Sequence, residues 1–363
     1  MQTENELSFI TKGIYEIYPP TNFFYRIEDL DPLIINNKQK IIGEGRFSTV
    51  YLYKHKINGT LFALKKISVK KIIESGNDLS IINREINIHS RLNHENIVKF
   101  FSYNKGLNEV NILLEYCPNG AIFELINKEG FDEFQTYKYF SQVVNAVYFL
   151  HKNNLVHRDI KPENILLNGD KIKLCDFGWC CETNLNDRKS FCGTFEYMAP
   201  EIIKEIPYGK PVDIWALGIL LFEMLTGRTP FSMIGDKNEL FNSIIISKIH
   251  WTDDFPYLAK DLISKILCIN PNNRPSLDEI LNHQWFRDTP SLRPYIKPNH
   301  YEGKQKFELN LIYYNPDKDK FKNIDKKFNI SKKQILIKLI KNNENNFKEN
   351  NQDKYNNLNQ IYY

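Results

Sequence analysis

Cysteine is scarce in this chain, six residues in 363. The six do not pair into CxxC spacings, which excludes the usual structural zinc sites, and they are too few for a disulfide scaffold, so a reducing intracellular compartment is expected. A long apolar run is missing as well. The most apolar stretch, Ile214 to Leu225, is about half a membrane span and contains Glu223, so it reads as a buried helix. The opening Met1-Gln2-Thr3-Glu4-Asn5-Glu6 is polar and acidic, the reverse of a signal peptide. Nor does one sign of charge dominate: the net charge of +4 is too small to indicate nucleic-acid binding. That charge is unevenly spread, because residues 292–363 hold 15 basic and 8 acidic side chains and leave the body slightly acidic. With 42% apolar and 25% charged residues the composition excludes a disordered or collagen-like chain. What remains is a soluble folded protein, of roughly two units at about 150 residues each.

Residues 1–36 are mixed in character and carry Pro19-Pro20 and Pro32, which suggests an irregular leader. From Lys38 to Leu114 short β-type runs dominate, at Gln39–Gly43, Val50–His55, Leu61–Ile67 and Asn111–Leu114. One helical segment interrupts them over Asp78–Leu92, where Leu79, Ile82, Ile86 and Leu92 fall at helical steps. After Pro118-Asn119-Gly120 the period turns helical, over Phe134–Asn153, Val212–Thr226, Leu258–Ile269 and Leu277–His283. The pattern predicts an α+β, two-lobed fold: a β-rich N-lobe over 37–114 with one helix and a larger helical C-lobe over 118–290, with a cleft between them. Residues 291–363 form a basic tail rich in Asn and Lys. In it Phe307, Leu309, Leu311 and Tyr313 alternate like a strand, and Ser331 precedes a helical stripe of Ile335, Leu336, Leu339 and Ile340.

Gly43-Glu44-Gly45-Arg46-Phe47-Ser48-Thr49-Val50 lies between two expected strands, not between a strand and a helix. This context argues against a dinucleotide fold and for a hairpin whose N–H groups can cover phosphates; a plain hairpin that needs two glycines for its turn is the competing reading. The third expected glycine is Ser48. Lys65, in Ala63-Leu64-Lys65, sits within an apolar strand, which is costly unless its ammonium is paired. Glu85 on the following helix is a candidate partner, and a lysine snorkelling to solvent is the alternative.

Further on, His157-Arg158-Asp159-Ile160-Lys161-Pro162-Glu163-Asn164 is followed by Asp176-Phe177-Gly178 and then by Ala199-Pro200-Glu201. In order and spacing these resemble the catalytic loop, metal-binding loop and activation-segment end of eukaryotic protein kinases. The resemblance spans about residues 38–290 and implies the kinase fold, with ATP and Mg²⁺ as cofactors. Phosphoryl transfer needs charge neutralised and two oxygens held in line more than it needs covalent help. On that basis Lys65, fixed by Glu85, would hold the α- and β-phosphates, and Asn164 and Asp176 would be the oxygen ligands of Mg²⁺. Asp159 would take the proton of the attacking hydroxyl. Lys161 would steady the transferring phosphate and mark Ser/Thr specificity, with Thr194 bracing both. Adenine would lie between Val50 and Ala63 above and Leu166 below, with the hinge Glu115-Tyr116-Cys117 meeting its edge and Leu114 limiting the back pocket. Gly43, Glu44 and Gly45 complete the nucleotide set. The resemblance gives Asp213, Trp215, Gly218 and the pair Glu201 and Arg274 structural duties.

Within the kinases, Asp176-Phe177-Gly178-Trp179, the loop Arg188-Lys189-Ser190-Phe191-Cys192-Gly193-Thr194, and Ala259-Lys260-Asp261-Leu262-Ile263-Ser264-Lys265 resemble the Aurora group, and the polar His89 agrees. Phe195-Glu196-Tyr197-Met198-Ala199 departs from Aurora wording, and the Gly-rich loop is closer to the phosphoinositide-dependent kinase. The tail is loosely similar over 328–363 to the helical module of calmodulin- and AMP-activated-type kinases, which keeps that group as an alternative. A pseudokinase scaffold is the alternative from another class, against which stand Lys65, Asp159, Asn164 and Asp176. The resemblance places a phosphorylation switch at Ser190, with Arg84, Arg158 and Arg188 to meet the phosphate. The implied partners are protein substrates with Ser/Thr acceptors and basic residues upstream, and an activating protein is left open. No nucleic acid and no membrane span are expected, and the expected location is cytoplasmic, or else nuclear or spindle- and centrosome-associated.

Overall fold

Branched and aromatic residues at alternate positions fold the first part of the chain into a sheet. In the computed structural model, which describes residues 25–126, 129–183, 194–231 and 236–289, its strands are β1 (Leu30–Pro32), β2 (Ile34–Ile35), β3 (Lys38–Gln39), β4 (Ile41–Glu44), β5 (Ser48–His55) and β6 (Leu61–Ser68). After helices α1 (Val69–Glu74) and α2 (Ser80–His89) come β7 (Phe100–Lys105) and β8 (Glu109–Glu115). The main sheet is antiparallel, in the order β1-β5-β6-β8-β7, and β4 also pairs with β5. The strand expected over Gln39–Gly43 is split in two. Lys38–Gln39 turns back on Ile34–Ile35 through Asn36 and Asn37, both in the left-handed region, and Ile41–Glu44 joins the sheet. The stretch read as an irregular leader therefore contributes ordered elements from Ile27 onward, because Leu30–Pro32 finds an edge on β5.

Register sorts the sheet into two faces. Val50 lies opposite Lys65, Ala63 opposite Leu114 and Lys65 opposite Ile112, so these five side chains share one face. That face, extended by Ile67 and Val110, packs on Ile82 and Ile86 of α2. The opposite face buries Phe62, Leu64, Leu113 and Tyr53 under Leu30. The helix expected over Asp78–Leu92 is shorter than its apolar stripe, because Asp78 accepts from the Ser80 N–H at 3.1 Å and starts it two residues late.

The second lobe is built on α3 (Glu133–Lys152), which Asp132 caps through the Gln135 N–H at 2.7 Å. Next come β9 (Leu155–Val156) and the hairpin β10 (Ile165–Asn168) and β11 (Lys171–Leu174); β12 (Cys181–Glu182) pairs back onto β9. Then follow α4 (Pro200–Ile203), α5 (Pro211–Thr226), α6 (Lys237–Ile245), α7 (Tyr257–Ile266), α8 (Leu277–Leu281) and α9 (Gln284–Asp288). Apolar on every side, α5 is the centre of the core and stops at Gly227, whose φ of 71° no branched residue would take readily. This lobe closes on its own first helix: Trp285 is fully buried, packs on Phe140 and donates from Nε1 to the Glu133 carboxylate at 3.0 Å. Among the described residues no helix is long and apolar enough to cross a membrane. The chain divides into units Met1–Ile296 and Lys297–Tyr363, and all described residues belong to the first; the tail strand and helix expected above lie outside them.

Candidate active site

The glycine-rich loop joins β4 to β5. Gly43 pairs with Val50 and Glu44 with Thr49, and the turn is closed by the Gly45 N–H on the Ser48 carbonyl at 2.8 Å. Ser48, standing where a third glycine was expected, fills space beside Gly45: a Cβ there would lie 3.2 Å from the Ser48 hydroxyl.

Below this loop the inner sheet face presents Lys65. Its ammonium lies 2.6 Å from Glu85 of α2 and 3.2 Å from Asp176. Burial alone would push the ammonium down, but the Asp176 and Glu85 carboxylates more than reverse this and hold it protonated. The same ammonium, against some desolvation, keeps the Asp176 carboxyl below the usual range. Of the two readings of Lys65, pairing is the one realised.

The catalytic-loop side chains gather around Asp159. Asn164 donates from Nδ2 to both the Asp159 carbonyl and its carboxylate, each at 2.8 Å. Lys161 stands 3.2 Å from the same carboxylate and donates to the Thr194 hydroxyl at 2.8 Å. The loop backbone is held from beneath by Asp213 of α5, which accepts from the His157 and Arg158 N–H groups, each at 2.8 Å, and from His151 at 2.9 Å. Arg158 has φ of 69° and Asp176 φ of 61°, a conformation costly for residues with a Cβ. Asp213 holds the Arg158 N–H directly and the N–H of the residue before it.

A column of rings connects the lobes: Phe100, His89, Phe177 and His157 follow one another at centroid distances of 5.5, 4.5 and 5.2 Å. His89 donates from Nε2 to the Val98 carbonyl at 2.7 Å. Val50 and Leu114 line the sheet face half-buried above, with Ala63 fully covered, and Leu166 lies on β10. Glu115 and Cys117 occupy the chain between the lobes; burial pushes the Cys117 thiol up to about 12, so it is a neutral, unreactive thiol.

Of the residues expected to meet a phosphate, Ser190 and Arg188 lie outside the described residues. Arg158 donates to the Trp179 carbonyl at 2.6 Å and to the Tyr208 hydroxyl at 3.2 Å. The Nε of Arg84 is buried with no hydrogen-bond partner among the described residues. Sequence reasoning missed Tyr208, the partnership of Glu223 with Tyr197 at 2.5 Å, and Lys173. No motif marks them, and a buried lysine inside a short strand was the one available signal.

Residues 36–286 match the family model for the protein kinase domain. Over 250 residues, 68% of this chain, it is 38% identical to an Aurora kinase of Dictyostelium discoideum, covering 65% of that protein. Over the same share it is 37% identical to an Aurora kinase of Saccharomyces cerevisiae, covering 68%, and 36% identical to Aurora kinase C of Mus musculus, covering 90%. This chain thus spans about two thirds of the length of the amoebal and yeast relatives. It belongs to the protein kinase family, as a kinase of the Ser/Thr class whose domain is similar to those of the Aurora kinases.

Proposed function

We propose that this chain transfers the γ-phosphoryl group of ATP to serine or threonine hydroxyls of protein substrates, with Mg²⁺. The carrying observation is the double pairing of Lys65 with Glu85 and Asp176, beside the bonded set of Asp159, Lys161, Asn164 and Thr194. The donor chemistry suits Mg²⁺: Asp176 offers a carboxylate oxygen, and because Asn164 uses Nδ2 on Asp159 its amide oxygen is the group left. Two protein oxygens are too few for that ion, so phosphate and water oxygens would complete its shell. When bound, the metal neutralises phosphate charge; the remaining work falls to side chains. Lys65, protonated and fixed, would hold the α- and β-phosphates. Asp159 would accept the proton of the attacking hydroxyl as its oxygen bonds to phosphorus and the bond to the leaving diphosphate breaks. Lys161, braced by Thr194, would offset charge on the moving group. Val50, Ala63 and Leu166 would enclose adenine, with Glu115 and Cys117 meeting its edge through their backbone, under Gly43, Glu44 and Gly45. Asp176→Asn is expected to abolish transfer to Ser/Thr peptides, at least about a thousandfold, with the fold intact by melting. Undiminished turnover by that variant would overturn the assignment.

Substrates with basic residues upstream of the acceptor are favoured by Glu163, Glu196 and Glu223. Burial, with Glu163 and Glu196 adding like charge, pushes the Glu223 carboxyl up, against the hydrogen bond that it accepts from the Tyr197 hydroxyl. A peptide screen that prefers acidic positions would reject this. Activation by phosphorylation at Ser190 is part of the same reading. The orphaned Arg84 Nε, next to Glu85, supports it, since a phosphate drawn to Arg84, Arg158 and Arg188 would also steady Glu85 against Lys65. Ser190→Ala that keeps full activity after incubation with ATP would remove that part. The catalytic unit is taken as 37–290 and 291–363 as a basic tail, with an activating protein and a spindle or nuclear location following from the Aurora likeness.

A further inference from the structure

Glu115 ends β8 where the chain leaves the sheet to become the hinge, and it is anchored from several sides. Its N–H donates to the Lys99 carbonyl at 2.9 Å. Its carboxylate accepts from the Lys99 N–H at 3.1 Å, from Asn168 Nδ2 at 3.2 Å and from the Lys173 ammonium at 2.9 Å. Lys99 is in the N-lobe, just before β7, and Asn168 and Lys173 lie on the two strands of the hairpin below. One carboxylate therefore connects three segments across the cleft.

Lys173 is only 6% exposed although it stands mid-strand in β11. Register places it directly opposite Leu166, so the two side chains share one face of the hairpin. Leu166 is the floor proposed for adenine, and the backbone of Glu115 and Cys117 the edge proposed to meet it. The ion pair thus joins the floor of that slot to its rim. A buried ion pair adds little net stability over an apolar pair of the same shape, whereas it fixes separation and orientation closely, and an error of 1 Å in placement can weaken a site by up to about a hundredfold.

We propose that Lys173 is a positioning residue for the nucleotide. Through Glu115 it sets the height of the hinge backbone above Leu166, and with it nucleotide affinity, while leaving the transfer step alone. This rests on reading the cleft as the ATP site. The test compares K173M, K173R, E115Q and the double variant E115Q/K173M with the wild-type chain, by steady-state kinetics against ATP, calorimetric titration with MgADP, and thermal melting. For K173M and E115Q the KM for ATP is expected to rise about tenfold with kcat within about twofold, and MgADP affinity to fall by the same factor. K173R should retain KM near the wild-type value because it keeps the pair. In E115Q/K173M the melting temperature should recover, since no lone buried charge remains, while KM stays high. A merely structural pair predicts the opposite, with KM following the melting temperature back, and that result overturns the proposal, as does an unchanged KM in K173M. If K173M does not fold, the double variant decides on the same criteria. Failure of the wild-type chain to bind MgADP would instead overturn the nucleotide reading itself.

Discussion

His89 is an ionisable group placed where the ring column has no room for a charge. Burial holds its imidazole down to about 4, from 6.5 for an exposed histidine, despite the hydrogen bond to Val98. The unfolded chain therefore takes up a proton near pH 6.5 that the folded chain refuses until about pH 4, and folding stability must fall as the pH drops through that window. The slope from this one residue is at most about 1.4 kcal/mol per pH unit. His89→Leu is expected to remove it: denaturant titrations of the two proteins should show the wild type losing stability relative to the variant between pH 6.5 and 4, and parallel curves would contradict this. Asp213 acts in the same direction, at lower pH. Burial pushes its carboxyl up, but bonds from His151 and the Arg158 N–H carry it below the ordinary value of 3.8, so its contribution is present at neutral pH and lost on acidification below about 4. At this scale the chemistry was legible because Lys65, Glu85, Asp159, Asn164 and Asp176 carry motif spacings. Lys173 and Tyr208 were not, since a cross-strand register and a fold-back contact bring their partners to them.

Elements were legible in proportion to how cleanly their pattern repeats. The long helices α3 and α5 fall within a residue or two of their expected ends, because Asp132 and Gly227 supply unmistakable stops. Strand β7 was missed for a visible reason: its pairing with β8 shifts register between Phe100 and Ser102, so two adjacent phenylalanines spoil the alternation. Helix α6 was missed because Ile244 is the sole residue that it buries, and α1 because six residues cannot show a period. One joint between elements is under tighter constraint than any of these. Gly130, with φ of 74°, lies against the end of α5, where an added Cβ would meet the Leu225 backbone at 2.4 Å, and the neighbouring Phe131 N–H donates to the Met224 carbonyl at 2.6 Å. Gly130→Ala is expected to destabilise the protein by about 2–4 kcal/mol, from backbone strain and overlap together. A denaturation midpoint within error of the wild type would show that the loop gives way instead.

Across the whole molecule, two lobes were readable from the change of hydrophobic period near Gly120. The ties that make the C-lobe one body were readable only in part. Glu201 and Arg274 form a bidentate pair at 2.7 Å, and Arg274 also donates to Pro211 at 2.8 Å and to Cys268 at 2.9 Å, joining the starts of α4 and α5 to the loop after α7. Removing one partner of such a buried pair costs about 3–5 kcal/mol, so Arg274→Met should lower the melting temperature by roughly 10 °C or more. Arg274→Lys should recover little of this, since an ammonium cannot reproduce the planar fork. The seal of Trp285 on Glu133 and Phe140 carries a consequence of another kind. The two ends of that contact are 152 residues apart in the chain. At about 5–20 residues per second, a ribosome that has just finished α3 needs roughly 7–27 seconds more before Trp285 emerges to cover it. For that interval the nascent protein holds a greasy helix without its lid, so its yield in the cell should depend on translation speed and on the chaperones waiting at the exit tunnel, well before any nucleotide or substrate arrives.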